Sequence, residues 1–238
     1  MSNQELARIA EEYHEWTLRT QPIVATMRGF HDYDKDIGEV SRQSEDRKIS
    51  ELRDFAYRAS SVDPVGLDES DQITRDLLIF EAENGAETAE LRLAEMAVDH
   101  TSGIQALLAV AIPQLPIETA QHGDDFIERF SKLPDLTNEM NQRLAEGVAK
   151  GRTPMRSTAE KTVEQLDGML AAPDEEDPFM TAMNPGGVDT AEWRDRLLTL
   201  VRDSVRPALQ SYRDMIADEV IPAARPDDRA GLCWLPDG

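Results

Sequence analysis

Residues 133–151 read LPDLTNEMNQRLAEGVAKG, and this stretch decides the fold class. Leu136, Met140, Leu144 and Val148 recur at four-residue steps, polar residues fill the gaps, and Gly151 stands where a helix would stop. That is one apolar stripe on an amphipathic α-helix, closed by a residue suited to a left-handed cap. The same period returns on both sides. Downstream, Pro154 suits the first turn of a helix whose face is Ala159, Val163, Leu166 and Leu170. A Pro/Gly/acidic loop at 172–189 follows. Thr190 is then expected to cap a helix burying Trp193, Leu197, Leu200 or Val201, and Val205, with Pro207 kinking or splitting it before Leu209, Tyr212, Ile216 and Val220. Upstream, Phe126, Ile127 and Phe130 predict a short helix beyond Gly123. Ile104–Ile112 is an apolar helical run, with Pro113 and Pro116 forcing an extended connector after it.

Nearer the N-terminus, Ser70 is expected to cap a long pattern carrying Ile73, Leu77 and Phe80, then Leu91, Leu93 and Val98, with Gly85 as an interruption. Asp63-Pro64 and Gly66 separate it from a helix over Ser41 to about Ala59, faced by Ile49, Leu52, Phe55, Ala56 and Ala59. Ser2 with Glu5 forms a capping box for a first helix to about Arg19, ended by Pro22. No stretch alternates over a strand length except the segment after Ala230, which could form a short strand. The expectation is an all-α, irregular multi-helix array with Pro-rich connectors, without fixed repeats or sustained heptads. It comprises a helical domain over 1–221 and an extended segment over 222–238.

Composition narrows the function. The formal charge of −22 argues against nucleic acid and anionic membrane as partners. No run of about 18 uncharged apolar residues is present to span a bilayer. The acidic, amphipathic start lacks the basic and apolar regions of a signal peptide, and Cys233, the only cysteine, cannot form an internal disulfide. A cytoplasmic location is therefore expected. Five lysines beside abundant carboxylates suit a GC-rich genome or life in high salt.

The chemistry-bearing residues do not assemble into a catalytic set. His14, His31, His100 and His122 lie in four separate regions, and no His-Glu-x-x-His occurs. Glu11 and His14 have di-iron spacing but no second such pair, since Glu118 precedes His122 by four residues. Asp32, Asp34 and Asp36 begin like a calcium loop, yet the sixth and twelfth positions are Ile37 and Gln43 where Gly and Glu are needed. Lys150, Arg152 and Arg156 form a basic cluster at a helix-to-helix junction. It would either contact an anionic group of a substrate or neutralise neighbouring carboxylates. No catalytic residue, metal ligand or cofactor is assigned to the chain.

The sequence ends VIPAARPDDRAGLCWLPDG, an apolar segment after a Pro-rich connector. Leu232, Trp234 and Leu235 are expected to form an interface, either with a C-terminal catalytic half or with a second copy of the chain, and Trp234 and Leu235 to be poorly ordered where no such molecule packs on them. Three passages, in order, carry a resemblance: Met27-Arg28-Gly29-Phe30-His31-Asp32-Tyr33-Asp34 leading to Val40-Ser41; Glu146 to Pro154; and Val205 to Gly238. Together they resemble the N-terminal half of bacterial proteins in domain-of-unknown-function family 885, helical proteins that look like zinc metallopeptidases. The resemblance implies a helical shell around a cleft, with zinc held by a His-Glu-x-x-x-His type helix in the C-terminal half of longer members. It carries no zinc ligand or catalytic base onto any position here. The role implied for this chain is scaffold, cleft wall or lid, non-catalytic by itself; the alternative is a self-sufficient helical interaction module that dimerises or holds a peptide in a groove.

Overall fold

In the computed structural model, which describes residues 2–181 and 191–237, the four-residue steps become helices, and no strand forms among the described residues. The helices are α1 (Ser2–Thr20), α2 (Pro22–Met27), α3 (Arg42–Ser60), α4 (Glu69–Glu90), α5 (Ile104–Ala111), α6 (Ala120–Ser131), α7 (Leu133–Lys150), α8 (Arg156–Ala171), α9 (Pro178–Thr181), α10 (Ala191–Leu200) and α11 (Arg206–Met215). The Ser2 side chain of the expected capping box, and the Thr190 cap, lie outside the described residues. The chain divides into two compact units, Met1–Thr20 with Ser41–Leu93, and Gln21–Val40 with Ala94–Gly238.

The first unit is α1, α3 and α4. Ser41 caps α3, its hydroxyl accepting the Ser44 amide at 3.1 Å. The α4 cap is Asp68, not Ser70: its carboxylate accepts the Asp71 amide at 2.9 Å and adds a negative charge at the positive end of the helix. Leu6, Ile9 and Trp16 of α1 pack with Leu52, Phe55, Ala56 and Ala59 of α3. From α4 the core receives Leu78, Ala82 and Ala86, whereas the expected Ile73, Leu77 and Phe80 are 61%, 55% and 61% exposed. Close packing of α3 on α4 explains the reversal. A Cβ placed on Gly85 would come within 3.2 Å of Leu52 Cδ1, so no larger side chain fits at that point of the contact. Gly85 thus lets α3 approach and does not interrupt α4. Ile73, Leu77 and Phe80 occupy the opposite face.

The second unit is built around a helical run that starts at α10. Trp193, Leu197, Leu200, Val201, Val205, Leu209, Tyr212, Ile216 and Val220 are all buried, as their spacing predicts. Pro207 does not split the run. A wider π turn over Val201–Val205 precedes it, and a second over Ile216–Val220 precedes Pro222. Proline cannot donate to the carbonyl four residues back and its ring clashes there; a locally widened turn accommodates both. Leu133, Leu136 and Leu144 of α7, Ala159 and Leu166 of α8, and Phe126 and Phe130 of α6 complete this core. Gly151 ends α7 in the left-handed conformation, φ +71°.

Two further boundaries move. Thr119 caps α6 by accepting the His122 amide at 3.1 Å, so Gly123 lies inside the helix. The next helix, α8, begins at Arg156 and not at Pro154, because the Pro154 carbonyl accepts the Arg225 amide at 3.0 Å and the Arg225 carbonyl accepts the Arg156 amide at 2.8 Å. These bonds form an isolated bridge between Met155 and Arg225, and the segment after Ala230 forms a 3-10 turn over Leu232–Trp234 where a short strand was expected. Among the described residues no helix is long and apolar enough to cross a membrane.

Candidate functional site

The passage Thr26–Asp36 leaves α2 through Gly29, φ +86°, and turns at residues 31–35. The turn sends alternate aspartates in different directions. Asp36 reaches outward to Lys132 Nζ at 3.0 Å, while Asp34 points inward and is buried. The three aspartates therefore do not converge as a calcium loop requires. Lys35 meets Glu128 at 3.2 Å and Asp125 at 3.7 Å, tying the turn to α6.

Beneath the turn lies a buried polar group. Arg129, from α6, donates to Thr26 Oγ1 at 2.6 Å and to the Tyr33 carbonyl at 2.9 Å. Thr26 donates to Asp34 Oδ1 at 2.5 Å, and the Arg129 guanidinium lies 3.6 Å from the same oxygen. Burial pushes the Arg129 guanidinium down from its usual range, and the charges of Asp34, Asp36 and Asp125 oppose that shift. The second carboxylate oxygen, Oδ2, faces outward and lies 2.7 Å from His31 Nδ1. His122, in the first turn of α6, stacks on His31 with ring centroids 4.6 Å apart and planes 9° from parallel. Two of the four histidines that sequence leaves in separate regions thus share one site, 91 positions apart in the chain. His14 remains exposed on α1.

The basic cluster at the α7–α8 junction is divided. Lys150 Nζ lies 2.6 Å from Glu95 Oε1, Arg152 Nε lies 2.9 Å from Oε2, and Arg143 approaches at 3.8 Å. Glu95 is buried, and Gly147 lets its backbone close in: a Cβ there would sit 1.9 Å from the Glu95 carbonyl oxygen. The charges of Lys150 and Arg152 are therefore directed at a carboxylate of the protein itself. Arg156 is exposed and lies near Asp227, whose carboxyl is lowered chiefly by the Ser157 hydroxyl.

The terminal segment folds back on this junction. Arg225 Nε donates to the Thr153 carbonyl at 2.7 Å, and its Nη1 to the Gly231 carbonyl at 2.7 Å. Arg152 also pairs with Asp237. Leu235 is 8% exposed, whereas Leu232 and Trp234 are 57% and 55% exposed, with the Arg229 guanidinium 5.4 Å above the Trp234 ring. Of the three expected interface residues, two face solvent and Leu235 is covered by its own chain.

A family model described as "Bacterial protein of unknown function (DUF885)" matches residues 22–238. The chain belongs to DUF885. The match takes in all three passages that carried the resemblance. Among solved structures, this DUF885 chain is similar to a candidate lipoprotein from Colwellia psychrerythraea, at 19% identity and a TM-score of 0.83. The similarity covers 99% of this chain and 44% of that one, so the chain spans less than half the length of that protein. At that identity the likeness establishes a shared fold. No curated protein is significantly similar in sequence.

Proposed function

We propose that this DUF885 chain is a non-catalytic helical region, serving as scaffold, cleft wall or lid in a longer metallopeptidase-like protein. The observation that carries this reading is one of proportion: nearly the whole chain corresponds to 44% of a larger folded protein. The donor chemistry of the chain supports it. His14-Glu15 is followed by Trp16-Thr17-Leu18-Arg19, and no His-Glu-x-x-x-His or His-Glu-x-x-His occurs in the 238 residues. The zinc that the family resemblance implies therefore has no helical ligand pair here, and no catalytic step is derived through it. The partner under this reading is a C-terminal catalytic half, and the location is cytoplasmic. The description of the Colwellia protein as a candidate lipoprotein makes cell fractionation the check on location.

A second reading, an interaction module that pairs with a copy of itself, is favoured by the exposed Leu232 and Trp234. Two measurements on the purified 238-residue chain decide between them. Incubated with one equivalent of zinc, the chain should cleave quenched fluorescent peptides no faster than buffer does; chelator-sensitive cleavage would sink the first reading. Sedimentation should give a monomer. A dimer disrupted by Trp234→Ser would move the conclusion to the second reading.

A further inference from the structure

The cluster at His31, Asp34 and His122 has a donor set that the scaffold reading does not use, and it stands independently of that reading. We propose that these three side chains bind one divalent transition-metal ion, with zinc as the type. Each offers a ligand atom, and these atoms lie within 4.8 Å of one another. Two imidazoles with one carboxylate is a borderline donor set, suited to zinc or cobalt, and too poor in oxygen for calcium. Asp32 and Asp36 do not join it.

The surroundings resemble those of a built ligand site. Metal-binding side chains are held by a further layer of hydrogen bonds. Here Thr26 and the buried Arg129 fix Asp34 through Oδ1, which leaves Oδ2 directed at His31. Arg129 also holds the backbone of the turn through the Tyr33 carbonyl, so one side chain sets both the carboxylate and the loop that bears His31. The imidazoles face outward: His31 is exposed and His122 half-buried. An ion bound there would be open to solvent, with room for water as a fourth ligand.

The stacked arrangement is the metal-free one. Ring lone pairs lie in the ring plane, and parallel planes do not converge on a point. Binding therefore requires one ring to turn about χ2, a broad and soft torsion for histidine. His31 Nδ1 lies against Asp34 Oδ2, so binding through that nitrogen requires the ring to carry its proton on Nε2. The Glu118 amide donates to His122 Nδ1 at a long 3.3 Å, and a turn of His122 would give that bond up.

Cobalt(II) titrated into the EDTA-treated 238-residue chain tests this directly. One saturable equivalent should appear, with visible ligand-field absorption of a low-coordinate site, displaced by zinc. His31→Ala and His122→Ala, both at exposed or half-exposed positions, should each weaken binding by at least about tenfold, and Thr26→Val by about tenfold through the misplaced carboxylate. His14→Ala and His100→Ala should leave it unchanged. Absence of a saturable equivalent overturns the proposal, as does an affinity unaltered in both His31→Ala and His122→Ala. Asp34→Asn is read only where circular dichroism shows the native fold; there, unweakened binding removes the carboxylate from the site. Metal binding without peptide cleavage leaves the scaffold reading intact, while cleavage would overturn that reading and not this site.

Discussion

Glu95 concentrates the physics of the second unit in one side chain. It is 2% exposed and reached by Lys150, Arg152 and Arg143. Burial penalises its charge, but the Lys150 hydrogen bond and the three cationic neighbours outweigh that and hold its carboxyl below the usual carboxylate range. Glu95→Gln leaves cations gathered around a neutral amide, and urea unfolding should show a loss of about 3–5 kcal/mol. Because the folded pKa is depressed, the stabilisation is fully present above the usual carboxylate range and is lost as the pH falls through the folded value. The variant should therefore show a flatter acid limb in its stability curve than the parent. The Lys150–Arg152 cluster was legible in the sequence; its partner was not. Glu95 lies 55 residues from Lys150 and is one of 47 acidic residues, and periodicity contains nothing that selects among them. The His31–His122 pairing was illegible for the same reason, since it depends on where α6 lies against the 31–35 turn.

At the scale of elements, two helical glycines separate propensity from packing. Gly168, inside α8, has nothing within 4 Å of where a Cβ would sit, so Gly168→Ala should stabilise by about 0.5–1 kcal/mol. Gly85→Ala gains the same propensity but drives a methyl to 3.2 Å from Leu52, itself 1% exposed in the packed core. The expected result is net destabilisation, by about 1 kcal/mol once overpacking is included, read from paired thermal melts. Element type was legible for the long helices because the apolar steps are regular, but not for the segment after Ala230, where a 3-10 turn over Leu232–Trp234 replaces the short strand. Which face of α4 turns inward was not. Ile73, Leu77 and Phe80 form the more apolar stripe, but close contact with α3 around Gly85 favours small residues there, and the face bearing Leu78, Ala82 and Ala86 turns inward. Prolines misled in both directions: Pro207, read as a kink or split, does not divide the run because the π turn before it keeps the buried stripe in phase, whereas Pro154, read as part of the first turn of α8, lies before that helix.

For the molecule as a whole, charge is the dominant global variable. A formal −22 spread over 238 residues opposes compaction by self-repulsion, although many carboxylates meet arginines locally, as Glu12 and Asp54 do at Arg58. Raising sodium chloride from low concentration to about 0.5 M should raise the thermal midpoint as the long-range repulsion is screened, with little further gain beyond. A midpoint that falls instead would mean that the local ion pairs outweigh the net charge. Size and fold class were legible from composition and period, whereas the division into two units was not: the 21–40 segment belongs with residues far downstream, by contacts that no local pattern encodes. The three tryptophans follow that division. Trp16 is buried in the first unit, Trp193 in the second, and Trp234 stands exposed on the folded-back tail. Each region thus carries its own fluorophore. Two emit from apolar surroundings and one from water, which makes the chain a self-labelled reporter of its own parts.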